Sequence, residues 1–190
     1  MRETDRRVKY TKMVLRESLL ELLQQKPINR ISVTELCQNA DVNRGTFYAH
    51  YTEPQDLLKQ IEDEMFESIR SCFAENADKS LEQTNLDLLR ILHDNRELCR
   101  VVFSQNASSC FLCRLHEMST EFFAERWKCK IEKMGIPVDF LYSFIATGNI
   151  EVIRMWIMND DGRTPEEISG IITKLASKVM HACDQGDCCC

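Results

Sequence analysis

Between Asn43 and Thr52 the chain reads Arg-Gly-Thr-Phe-Tyr-Ala-His-Tyr, a run of hydrogen-bonding side chains interleaved with two very small ones. At about 100° per residue on a helix, Phe47 and Tyr51 share one side and face a core, while Gly45, Thr46 and Ala49 lie opposite. Small residues on that outer side let a helix backbone come close to base edges. Thr46 can bond a base or offer its methyl to thymine, and Arg44 can reach a phosphate or a guanine. Tyr48 and His50 flank the same side, where they can donate to phosphates. Thr34, in the first turn of the preceding helix, adds a phosphate contact beside free backbone N–H groups. On periodicity alone, a small surface helix that happens to carry Tyr and His fits equally well.

Those residues need helices to hold them, and almost every segment reads as one. Leu15, Leu19 and Leu22 recur at helical spacing in a first helix, roughly Thr4 to Gln25, which Pro27 ends. Ser32 and Glu35 form a capping box for a short second helix with Val33, Leu36, Cys37 and Ala40 inward. A turn at Asp41 to Asn43 leads into a third, Arg44 to Tyr51. Two short helices joined by a tight turn and braced by a longer one describe a helix-turn-helix. Pro54 suits the first turn of a long helix with Leu57, Leu58, Ile61, Phe66, Ile69 and Phe73 on one stripe. Further helices are expected at 85–93, 96–103, 108–134 and 137–159, and Thr164, Pro165 and Glu167 open a last one to about Cys183. The fold class is all-α, about nine helices with no strand or repeat pattern.

Charge is divided along the chain. The 190 residues carry a net charge of −6, yet residues 1–60 hold 10 Lys+Arg against 8 Asp+Glu, so the acid lies in the remainder, 14 against 22. Only the local field near a phosphate backbone counts for nucleic-acid binding. No run of about 18 apolar residues is available to span a membrane. The charged start MRETDRRVKYTK lacks the apolar stretch of a signal peptide, which predicts a cytoplasmic protein whose ten cysteines are thiols. The tail DQGDCCC, residues 184–190, reads as disordered.

The string ISVTELCQNADVNRGTFYAHYTEPQDLL resembles the DNA-binding domain of the TetR family of bacterial transcriptional regulators. The likeness covers roughly Tyr10 to Leu58. It is carried by Ile31-Ser32-Val33, by Ala40 and Val42 around the turn, by Gly45-Thr46-Phe47-Tyr48-x-His50-Tyr51, and by Asp56-Leu57-Leu58. In such regulators the Gly, Thr, Tyr and His positions contact DNA, which implies those roles for Gly45, Thr46, Tyr48 and His50. One departure stands out: where the family usually has a phosphate-binding lysine, this chain has Pro54, and Thr52 and Glu53 add no positive charge.

Residues 1–52 are therefore expected to be a three-helix DNA-binding domain with its motif at about 32–51. Residues 53–183 are expected to form a helical effector-binding and dimerisation domain. The segment DFLYSFIATGNIEVIRMWIM is apolar around most of its circumference, as a helix packed on both its own domain and a partner would be, although a monomer's core helix reads the same way. TetR-like proteins dimerise through their last two long helices, which implies an interface from Ile145, Gly148, Val152, Trp156, Ile172, Leu175 and Val179. Family members hold a small effector among the helices of this domain, and the candidate lining is Phe111, Leu115, Met118, Phe122 and Phe144. The same aromatic stripe also fits plain core packing. Cys110, Cys113 and His116 can share a helix face, a set able to bind metal or sense redox state; a lone C-x-x-C without a second pair favours ordinary thiols, and neither metal nor cofactor is expected.

No Gly-rich phosphate loop, G-x-S-x-G or H-E-x-x-H occurs, so no enzyme is expected. The resemblance implies a homodimeric repressor released from a palindromic operator on double-stranded DNA by a small-molecule effector of unknown identity. The alternative is a TetR-like coactivator that works through another protein with weak DNA contact of its own; Pro54 and the acidic balance lean that way.

Overall fold

Local caps set where the helices begin. In the computed structural model, which describes residues 3–76, 78–104, 110–131, 137–159 and 161–184, the Ser32 hydroxyl accepts the Glu35 N–H at 3.2 Å and starts α2 (Val33–Asn39) behind α1 (Glu3–Gln25) and a 3-10 turn at Ile28–Arg30. Asn43 caps α3 (Arg44–Tyr48), and Pro54 is the first residue of α4 (Pro54–Glu75). Then come α5 (Leu81–Asp94), α6 (Arg96–Phe103), α7 (Cys110–Ile131), α8 (Val138–Met158) and α9 (Pro165–Asp184). Thr164 and Glu167 form a reciprocal capping box at the start of α9, with N–H to oxygen distances of 2.8 and 3.3 Å. The chain is all-helical, with no strand among the described residues.

Two helix ends differ from expectation. The third helix stops at Tyr48 rather than Tyr51: the N–H groups of His50 and Tyr51 both turn back to the Phe47 carbonyl, at 2.9 and 3.0 Å. The fifth begins at Leu81 rather than 85 because Ser80 accepts the Gln83 N–H at 3.2 Å, a cap hidden in a run of polar residues. The ends expected at 108 and 134 for α7, and the tail from 185, lie outside the described residues.

One compact unit comprises residues 1–67 with 97–111. Its core is built from Leu15, Leu19 and Leu23 of α1, Leu36 of α2, Phe47 of α3, and Leu57 and Ile61 of α4, all essentially without exposure. Each such side chain contributes about 1.5–3 kcal/mol by leaving water. Ser18 donates to the Leu36 carbonyl at 3.3 Å, and Asn39 to Glu21 at 2.9 Å, so α2 is fixed against α1 by polar contacts as well as by packing. Phe66 of α4 and Phe111 at the start of α7 pack with their rings tilted by 37° and centroids 4.4 Å apart. Between α2 and α3 the chain turns through Asp41, whose φ of 50° is left-handed. There the Val42 N–H reaches the Cys37 carbonyl at 2.9 Å and the Asp41 N–H the Gln38 carbonyl at 3.4 Å, the two bonds of a Schellman cap with Asp in the place usually taken by Gly.

The second unit comprises residues 68–96 with 112–190. In it α9 packs against α5 and α8. Phe73 and Phe122 stack at 4.4 Å, and Ser169 donates to the Glu82 carbonyl at 3.4 Å. The C-terminus of α8 is held by residues before it in the chain: the Trp156 ring stacks with the His93 ring, 5.7 Å away, and lies under the Arg96 guanidinium, 5.8 Å away. Arg96 also donates to the carbonyls of Trp156 and Asn159 at 3.0 and 2.8 Å, satisfying acceptors that a helix end leaves open.

Candidate nucleic-acid interface

In α3 the outer and inner faces separate as the wheel demands. Phe47 has no exposed surface and packs edge-on to Tyr48 and tilted to Tyr51, with centroids at 5.6 and 5.7 Å. Anchored by that ring, the helix turns Arg44, Gly45, Thr46, Tyr48 and Ala49 outward; Tyr48 is 58% exposed, and His50 is half-buried beside Tyr51. Thr34 is half-buried on α2, and together with Arg44 it lines an open polar cleft between the two short helices. The structure thus gathers the seven residues singled out in the sequence onto α2, α3 and the turn that follows. Burial pushes the neighbouring Cys37 thiol up, and the positive charge of Arg44 partly opposes that rise.

What this surface offers is donors and a close-approach strip. Arg44, Thr46, Tyr48 and His50 carry hydrogen-bond donors of the kind that suit phosphate oxygens or base acceptors, while Gly45 and Ala49 leave the outer side of the helix free of bulk. At the following bend the electrostatics reverse. Asp56 accepts the Thr52 and Glu53 N–H groups at 3.0 and 3.2 Å, and bonding from the Thr52 side chain first, then these N–H groups, holds its carboxyl below its ordinary value. The N-terminus of α4 is therefore capped by the chain's own carboxylate, where a cation would have served a phosphate.

The residues expected to line an effector site are dispersed. In the second unit a small cavity of about 30 Å³ is walled by Asn85, Leu88, Leu89 and Leu92 of α5, Leu115 and Ser119 of α7, Ala146, Asn149, Ile150 and Ile153 of α8 and Ile172 of α9. Of the five candidates only Leu115 belongs to this wall. Phe111 is committed to Phe66 and Phe122 to Phe73, Met118 is half-buried, and Phe144 points outward with 67% of its surface exposed. The wall is largely aliphatic, and its α5 leucines recur at helical spacing.

The expected interface set also divides. Ile145, Trp156 and Ile172 are buried in the chain's own core, Val152 and Val179 are half-buried, and Gly148 and Leu175 are exposed. Trp156 is turned inward by its two stacking partners and by its indole N–H, which donates to the Arg163 carbonyl at 2.9 Å. The large outward apolar residues of these two helices are Phe140, Phe144, Met155 and Met158 of α8 with Ile171 and Leu175 of α9, the last of them one of the expected set.

Cys113 is exposed, and the side chain of Cys110 lies outside the described residues, as do Cys188 to Cys190. Among the described residues no group of three His, Cys, Asp or Glu could hold a metal ion, and no helix is long and apolar enough to cross a membrane.

Known proteins resemble most of this chain. Among curated proteins, the uncharacterized HTH-type transcriptional regulator YxbF of Bacillus subtilis (strain 168) is 21% identical over 174 residues, covering 86% of this chain; the chain spans 44% of that protein's length. Among solved structures, a TetR/AcrR-family transcriptional regulator from Aquifex aeolicus VF5 superposes with a TM-score of 0.70 at 18% identity, over 89% of this chain and 99% of its own. A TetR transcriptional regulator from Streptococcus agalactiae 2603V gives 0.64 at 24% identity, over 90% and 96%. Residues 79–178, more than half of the chain, match the family model described as the transcriptional regulator C-terminal region of TetR proteins. The chain belongs to the TetR family of transcriptional regulators.

Proposed function

We propose that the chain acts as a homodimeric repressor that binds a partly palindromic operator through α3 and leaves it when a small effector enters the second unit. The observation that carries this reading is the outer face of α3, where Arg44, Thr46 and Tyr48 stand exposed around Gly45 and Ala49 while Phe47 is fully buried. In this reading Thr34, Tyr48 and His50 grip phosphates, Arg44 and Thr46 read bases, and residues 1–52 form the DNA-binding domain. The outward apolar residues of α8 and α9 join two copies, which sets the two α3 helices in major grooves about one helical turn apart. The small aliphatic cavity is where the effector enters. The decisive experiment is titration of genomic fragments and random duplexes at fixed salt; absence of any preferred fragment would sink the operator-binding reading.

A second reading has its own support. Thr52, Glu53 and Asp56 leave the bend after α3 without a cation, so backbone affinity would be modest, and the chain would then act as a coactivator docked on another regulator. Slight, sequence-independent DNA binding together with transcriptional activation in a reporter strain would favour it.

A further inference from the structure

The exposed stripe of α8 runs Phe140, Phe144, Gly148, Met155 and Met158, and one charge stands in its middle: Glu151, three residues after Gly148 and four before Met155. Arg154, on the flank of the stripe, grips Glu151 at both oxygens, Nε to Oε2 at 2.7 Å and Nη2 to Oε1 at 2.5 Å. Bonding from Arg154 lowers the Glu151 carboxyl, and bonding from Glu151 raises the Arg154 guanidinium, so both are ionised at neutral pH. Left in water, such an i,i+3 pair contributes little to stability. Its position is what matters, because an ion pair at the centre of an apolar seam fixes register and partner choice when the seam is covered.

The stripe bears an anion and a cation three residues apart, so it is complementary to itself under a two-fold axis, which brings residue i of one copy to residue j of the other and j to i. Gly148, one turn before Glu151, has open space where a Cβ would be, so a second helix can come near at that level. We propose that Glu151 and Arg154 exchange partners across the α8 faces of two copies, Glu151 of each chain meeting Arg154 of the other, and that this pair selects a second copy of this chain over other apolar helix faces. The proposal rests on the dimer reading above.

The test uses full-length Glu151→Arg and Arg154→Glu, each checked for helical content by circular dichroism and studied alone and mixed by sedimentation velocity and native mass spectrometry. Each variant alone is expected to dimerise at least about tenfold more weakly than wild type, since it carries like charges on both copies. The equimolar mixture is expected to form a heterodimer of near wild-type affinity, since each charge again meets its opposite across the seam. Variants that each dimerise as tightly as wild type, or a mixture that restores nothing, would overturn the exchange and leave the dimer itself standing. A wild-type chain that is monomeric at micromolar concentration would remove the dimer reading and the exchange together.

Discussion

Asn43 accepts the Gly45 N–H at 2.9 Å, and the same oxygen is the nearest atom, at 3.5 Å, to the point where a Cβ on Gly45 would sit. That distance is ordinary van der Waals contact, so the fold has room for alanine here, and any penalty for a methyl must come from something outside the chain. Gly45→Ala is therefore expected to stabilise the protein by about 0.5–1 kcal/mol through helix propensity. It should also weaken operator binding by about 1–3 kcal/mol, the size of one lost base-pair contact. Urea unfolding and fluorescence anisotropy on the same preparation separate the two effects; unchanged affinity would mean that α3 does not approach a groove.

Tyr48 and Thr46 should divide by role. Tyr48→Phe removes one hydroxyl and is expected to weaken binding to all duplexes alike, by about 0.5–3 kcal/mol. Thr46→Ala is expected to relax preference at one base position per half-site, by about 1–3 kcal/mol. Titration of both variants against the operator and its single-base changes at fixed salt distinguishes a uniform loss from a positional one.

The left-handed Asp41 makes the turn between α2 and α3 a point of backbone strain. Asp41→Val is expected to lower stability by about 1–2 kcal/mol, since a β-branched side chain suits this region poorly. Asp41→Gly should not, and both can be ranked by the midpoint of urea unfolding. Equal midpoints for the two variants would contradict the strain assignment.

Asp56 sets a pH dependence of known sign. Its folded carboxyl is held below the unfolded value by hydrogen bonds from Thr52 and Glu53, so its contribution is fully present above the unfolded value and is lost as pH falls through the folded one. Asp56→Ala is expected to lower the melting temperature at neutral pH and to narrow its gap from wild type in strong acid. Melting curves between neutral and strongly acidic pH check this, and a constant gap would exclude the cap as its cause.

Much of the helix pattern was legible because its signals are local. Ser32, Pro54 and the Thr164–Glu167 box each act within a few residues, and the Phe47–Tyr51 side of α3 follows from periodicity alone. What escaped depended on distant partners. Phe111 and Phe122 read as a ligand stripe, yet each is matched by an α4 ring, Phe66 and Phe73, far away in sequence. The inward and outward sides of α8 could not be told apart when both are apolar; His93 and Arg96 on one ring, and the indole bond to Arg163, decide that Trp156 turns in. The cavity wall draws on four helices, so no single segment announces it.

The aliphatic cavity of the second unit, at about 30 Å³, has room only for a group the size of a water or two as it stands. In the proposed reading, an effector of metabolite size would enter only after those walls have moved apart. If that open form is about one molecule in a hundred, the apparent dissociation constant is about a hundredfold weaker than the intrinsic one. In the proposed reading, the concentration at which an effector acts would then be governed as much by how easily Leu88, Leu115 and Ile153 separate as by what they touch once apart. Substitutions there that loosen the wall would sharpen sensitivity without adding a single contact to the guest.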